Sequence, residues 1–179
     1  MTIKPDFTSR ALYTIGYEGS VLADFVATLA LRHIELVVDV RDVPISRKPG
    51  FSKRALESQL AAAGIDYLHI RSLGDPKAGR IAAREGRFDE FRSIYSQHLT
   101  TDAAQLGLDS AIAAATGRSA CLLCFERDFS NCHRRMVADA MTRRAGFVVT
   151  HLGVKAGLAM TIEKADRALH DRAEQVGFR

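Results

Sequence analysis

Five short apolar runs, at residues 11–15, 36–40, 67–70, 120–125 and 147–150, punctuate this chain. Runs of that length, closed by Gly or by polar residues, suit strands buried on both faces. Helical periods fill the gaps between them. Val21, Leu22, Phe25, Val26, Leu29 and Ile34 recur at helical spacing behind Ser20, a residue suited to an N-cap. Ser52 can cap a second helix that carries Leu56 and Leu60 and stops at Gly64. Phe88, Phe91, Ile94, Tyr95 and Leu99 mark a third, and the Ala-rich stretch 103–115 before Gly117 a fourth. Met136, Val137, Ala140 and Met141 line a fifth that stops at Gly146. This alternation predicts an α/β fold with a mainly parallel sheet and helices on both faces, a Rossmann-like three-layer arrangement. Residues 72–87 carry Gly74, Pro76, Gly79 and Gly86 without an apolar period, and are expected to form a long surface loop.

A chain of 179 residues suits one domain, expected as a core over 12–152 with a helical tail over 153–179. With 47% apolar and 26% charged residues the composition is that of a globular protein, which excludes collagen, a coiled coil and a disordered tail. No apolar run approaches the roughly 20 residues of a membrane span. Residues 1–10 lack the apolar stretch of a secretory signal. Together with a low, odd count of three Cys, this predicts a cytoplasmic protein without disulfides.

Ligands of open α/β sheets bind outside the carboxyl ends of the strands. There the chain places Gly16, Tyr17, Glu18 and Gly19 after the first run, and Asp39, Arg41, Ser46 and Arg47 at and after the second. His69 ends the third, Glu126 and then Cys132, His133 and Arg134 follow the fourth, and His151 follows the fifth. The net charge of +4 divides into 19 Arg and 6 Lys, a bias toward the planar fork that grips phosphate or carboxylate. Segment 41–54 alone holds Arg41, Arg47, Lys48, Lys53 and Arg54 against Asp42, so its local balance is 5 − 1 = +4. A helix starting at Ser52 aims its positive end at the same loop, which favours an anion site over a merely solvated one.

Asn131 is expected to cap a helix with Cys132 in its first turn, where the dipole and Arg134 and Arg135 lower a thiol pKa. Three readings stay open. Cys132 is a nucleophile or redox thiol; or Cys124, Cys132 and His133 with Glu126 or His69 hold a metal; or the cysteines are packing residues and Arg134 binds an anion. The Cys-x7-Cys-His spacing lacks the Cys-x2-Cys of structural zinc sites, so no metal and no cofactor is assigned. A phosphatase-like loop on Cys124 would need Arg where Ser130 stands.

The segments 14–19 (Thr-Ile-Gly-Tyr-Glu-Gly), 39–53 (opening Asp-Val-Arg and continuing through Ser46-Arg47), 73–77 (Leu-Gly-Asp-Pro-Lys), 123–128 (Leu-Cys-Phe-Glu-Arg-Asp) and 131–134 (Asn-Cys-His-Arg) occur in that order. In this set the chain resembles the bacterial family called domain of unknown function 488, in its Tyr-Glu-Gly branch, over roughly residues 12–152. The resemblance implies a compact α/β domain and marks the Asp-Val-Arg, Ser-Arg and Cys-His-Arg positions as the family's signature. It implies no particular reaction.

The leading expectation is a protein that binds or acts on a small phosphorylated or nucleotide-like anion. Arg41, Ser46, Arg47, His133 and Arg134 are its anion-binding candidates, and Glu18, Glu126 and Cys132 its catalytic ones. Gly16, Tyr17, Asp39 and His69 support them. One alternative is a nucleic-acid-binding or nucleic-acid-processing module, with segments 41–54 and 80–92 on the backbone and Tyr17, Phe51 or Phe129 stacking on bases. Another is a thiol-dependent redox or sulfur-transfer protein working through Cys132. Whether the chain is an enzyme is left open, and no membrane partner is expected.

Overall fold

A computed structural model describes residues 10–176. Its elements run β1 (Ala11–Gly16), α1 (Leu22–Leu31), β2 (Leu36–Asp39), α2 (Lys53–Ala62), β3 (Asp66–His69), α3 (Lys77–Arg84), α4 (Phe88–Leu99), α5 (Asp102–Ala115), β4 (Ala120–Cys124), α6 (His133–Ala145), β5 (Val148–Leu152) and α7 (Leu158–Val176). Short 3₁₀ turns at Arg71–Leu73 and Phe129–Asn131 precede α3 and α6. All five strands are parallel, in the order β3-β2-β4-β1-β5.

Side-chain alternation along the strands splits the core in two. Ala120 and Leu122 of β4 belong with Ala82, Phe91, Tyr95, Leu108, Ala111, Val137 and Met141, from α3 to α6. Cys121 and Leu123 belong with Phe25, Leu29, Leu56 and Leu60 of α1 and α2. The first two crossover helices thus cover one face and the later ones the other, which makes β4 the place where the winding reverses. Its neighbours β1 and β2 send their chains to the α1–α2 face, whereas β4 sends its own to the α6 face. Ligand crevices form at such a reversal.

Several sequence expectations shift in detail. Residues 77–84 are a helix and not loop, because Ala82 is fully buried against the core while Ile81 and the charged residues stay outside. Two turns with one anchor at their centre give no readable period. Val21, not Ser20, is the N-cap of α1; Ser20 Oγ instead donates to the Tyr17 carbonyl at 2.7 Å. Cys132, not Asn131, is the N-cap of α6. Ser52 does precede α2 as its N-cap, but its hydroxyl donates to Ser46 O at 3.1 Å and caps nothing. The tail helix α7 docks on α1: both Asp24 carboxylate oxygens accept backbone N–H groups, from Gly157 (2.8 Å) and Ala159 (3.0 Å).

Candidate functional site

The carboxyl end of β2 is built around a buried ion pair. Asp39 is wholly buried and Arg41 is 6% exposed. Arg41 Nε donates to both Asp39 oxygens at 2.9 and 3.1 Å, and Nη2 reaches Oδ2 at 2.5 Å. Nη1 donates to the Tyr17 hydroxyl at 3.0 Å and to the Phe51 carbonyl at 2.8 Å. The Tyr67 hydroxyl adds a donor to Asp39 at 2.5 Å, and His69 Nε2 donates to the Arg41 carbonyl at 2.8 Å. Tyr17 lies flat on Phe51, ring centroids 4.3 Å apart, and both are buried, so neither offers a face to a nucleic-acid base. Arg41 is thereby a brace that ties β1, β2 and the start of α2 together.

Arg134 is likewise enclosed, with no exposed surface. It donates to the carbonyls of Glu126 and Arg127 and, through Nε, to Thr14 Oγ1 at 3.3 Å. Thr14 in turn donates to His151 Nδ1 at 2.7 Å, and His151 stacks on Phe129 at 3.7 Å. Burial, then the nearby Arg134 and Arg135, lower the His151 pKa and keep its ring neutral, as an acceptor there must be. Arg134 holds the loop after β4 in shape from beneath, and Phe129 is committed to His151. Gly16 permits the same closeness, because a Cβ there would collide with the Glu126 carbonyl.

Above that floor, Cys124, Glu126, Cys132 and His133 converge, one ligand-type atom from each lying within 4.8 Å of all the others. The end of β4 positions Cys124, the loop that Arg134 braces positions Glu126, and the start of α6 positions Cys132 and His133. Glu126 Oε2 accepts from Cys124 Sγ at 2.8 Å and from Cys132 Sγ at 3.2 Å. His133 Nε2 donates to the Val40 carbonyl at 2.8 Å, which leaves Nδ1, 3.7 Å from Cys124 Sγ, as the nitrogen free to bind. Cys124, Cys132 and His133 are buried and Glu126 is half-buried.

Electrostatics set the protonation of this nest. Burial alone would raise the Glu126 carboxyl, but the Cys124 hydrogen bond, the His133 charge and the Cys132 thiol hold it below its usual range. Burial opposes charge on His133, yet Cys132, Glu126 and the Val40 carbonyl push its pKa up to about 9. Burial drives the Cys132 thiol well above its ordinary value, and raises Cys124 too. At neutral pH the nest is an imidazolium and a carboxylate flanked by two neutral thiols. The lowered pKa expected for Cys132 is overturned: as a 3% exposed residue it loses more to desolvation than the helix end supplies.

Asp75 joins this region from the turn ahead of α3, beyond the end of β3; the sequence places it in the 73–77 segment but singles it out for no role. It is 6% exposed, and its Oδ1 is the buried side-chain oxygen left without a hydrogen-bond partner among the described residues. Burial first, with Glu126 and Asp42 adding, raises its pKa to about 6 against the opposing charges of His133 and Arg80. Gly74 lets its turn approach, because a Cβ there would strike the Asp42 backbone.

The remaining predicted residues stay at the surface. Ser46 and Ser52 clasp each other, Ser46 N donating to Ser52 Oγ at 3.1 Å. Arg47 is exposed and without a hydrogen bond or ion pair among the described residues. Glu18 is exposed, accepts from the Arg127 backbone N–H at 3.0 Å, and lines a cavity of about 170 Å³ with Gly19, Ser20, Asp24 and Arg127.

Fold and site together define an open parallel α/β protein whose polar groups gather where the winding reverses. The description "Domain of unknown function DUF488" matches residues 21–141, and the chain belongs to that family. Neither the comparison with curated proteins nor that with solved structures produces a match. No helix among the described residues is long and apolar enough to cross a membrane.

Proposed function

We propose that this protein binds a small phosphorylated or nucleotide-like anion on the basic loop between β2 and α2. One observation carries the reading: the cations of that loop divide into a paired set and an unpaired set. Arg41 is neutralised by Asp39, and the loop's one acid, Asp42, is taken by Arg80 at 2.8 Å and Arg71 at 3.3 Å. Arg47, Lys48, Lys53 and Arg54 enter no ion pair among the described residues. Four positive side chains without an acidic partner among the described residues therefore lie on the segment from Arg47 to Arg54, before and at the amino end of α2, whose helix dipole adds to their field. Their loop is stiff, anchored by the buried Phe51, by the Arg41 bond to its carbonyl and by the serine clasp. Arg41 and Arg134 take the bracing part in this reading, and Ser46, Arg47 and their neighbours the contact with the anion.

Thermal denaturation with inorganic phosphate, pyrophosphate and nucleotides tests it. The expected result is a ligand-dependent rise in Tm that Arg47→Ala combined with Arg54→Ala abolishes. A rise unchanged in that double variant overturns the reading. Binding of an oligonucleotide that weakens steeply with salt, with no response to the small anions, replaces it with the nucleic-acid one.

A further inference from the structure

We infer that Cys124, Glu126, Cys132 and His133 form a binding site for one divalent transition-metal ion of the zinc type. The site is independent of the anion reading and stands on different residues.

The donor set is the first reason. Two thiols, an imidazole nitrogen and a carboxylate oxygen are the ligand types a borderline-soft ion takes, and neither calcium nor magnesium favours sulfur. Geometry is the second. With metal–sulfur bonds of about 2.3 Å and metal–nitrogen or –oxygen bonds of about 2.0–2.1 Å, the edges of a tetrahedron measure roughly 3.3–3.8 Å. Cys124 Sγ to His133 Nδ1 is 3.7 Å and Cys132 Sγ to Glu126 Oε2 is 3.2 Å. Cys124 Sγ to Glu126 Oε2, at 2.8 Å, is a thiol hydrogen bond that opens by about 0.6 Å when a cation replaces the proton.

The surroundings are the third reason. A metal-bound histidine almost always donates its other N–H to a carbonyl or carboxylate, which fixes its tautomer. His133 makes that bond already, to Val40 O at 2.8 Å. The fourth is an imbalance of polar groups. Among the described residues the only side-chain donors that reach the Glu126 carboxylate are thiols, which are weak ones, and a largely desolvated carboxylate needs stronger partners. Nearby, the Asp75 carboxylate is buried with Oδ1 unpartnered, close enough for the charges of His133 and Glu126 to act on it. A dication held by the two thiolates and His133 Nδ1 gives the Glu126 carboxylate a metal bond in place of two weak thiol donors. Three protons leave as the ion enters, one from each thiol and one from His133 Nδ1.

Two-part spacing explains why the ligands escape the zinc pattern in the sequence. Cys124 and Glu126 come from a strand end and Cys132 and His133 from a helix start, and the connecting 3₁₀ turn at Phe129–Asn131 folds the seven intervening residues back on themselves.

The test is metal analysis of the full chain, purified under reducing conditions without chelator, followed by stripping and titration with cobalt(II). The expected results are about one zinc-type ion per chain and, with cobalt, a thiolate-to-metal charge-transfer band with d–d bands of tetrahedral intensity. Cys132→Ser and His133→Asn each weaken metal affinity more than about tenfold. Arg47→Ala leaves it unchanged, which separates this site from the anion reading. Should the variants fail to fold, the cobalt spectrum of the unaltered chain still reports sulfur coordination. Absence of both metal and cobalt bands in the reduced chain overturns the inference, as does a Cys124–Cys132 disulfide in freshly isolated protein that never binds metal when reduced.

Discussion

The ends of β2 and β4 lie side by side in the sheet, and each collects buried ionisable groups, yet they are finished to different degrees. At the end of β2 the Asp39 carboxylate accepts from Arg41 and Tyr67, and the Arg41 guanidinium has an acceptor on every nitrogen. At the end of β4 a carboxylate is met by two weak thiol donors, and Asp75 nearby has an oxygen without a hydrogen-bond partner among the described residues. A fully satisfied network rigidifies a structure, while an incomplete one carries a cost that selection tolerates where something binds. The first is scaffold. The second is where chemistry or a ligand belongs.

Breaking the scaffold produces the largest effect. Arg41→Ala leaves Asp39 charged and buried, and chemical denaturation is expected to show a loss of about 3–5 kcal/mol. Filling the unfinished end works in the opposite direction. Zinc at a hundredfold excess over its Kd is expected to stabilise the stripped chain by about 2.7 kcal/mol, and the Cys124→Ser, Cys132→Ser double variant by nothing measurable.

A smaller change sharpens the contrast through pH. The Asp75 carboxyl is raised from 3.8 to about 6, so the folded chain binds its proton more tightly than the unfolded chain does. Its contribution to stability is therefore complete below about pH 3.8 and is lost as pH rises through about 6. In the metal-stripped protein Asp75→Asn removes that loss. Denaturation midpoints should place the variant on the order of 2 kcal/mol above the parent at pH 7, with the gap closing toward pH 4. Glu126, His133, Arg80 and Asp42 are the charges that bear on this carboxyl. The smallest stability effect belongs to Arg47→Ala. Exposed and without an ion pair among the described residues, it is expected to change stability by less than about 0.5 kcal/mol while weakening anion binding, read by the same melts with and without phosphate.

Much of the fold was legible in the chain. Buried parallel strands announce themselves as short apolar runs, and all five fall within a residue or two of their expected places. The helices α4 to α6 repeat enough apolar positions to be seen. The α3 helix was not, because Gly79 interrupts it and its one buried anchor, Ala82, has meaning only against the core. Site residues follow the same division. Strand-end reasoning picks out Asp39, Arg41, Glu126, Cys132, His133 and Arg134, but an arginine reads the same whether it faces an anion or a carbonyl. Asp75 and Tyr67 carry no such signal, one lying in a turn well past the end of β3 and the other looking like a strand residue. Both owe their part to contacts across the chain.

Residue order alone determined that this protein is an α/β sheet with polar residues at one edge, since period and punctuation are local properties of a sequence. Which of those residues are brace and which are site was decided only in three dimensions. Burial and partner count depend on what other segments bring to the same place, and at the end of β4 they bring two thiols, an imidazole and a carboxylate together on a loop braced by an arginine.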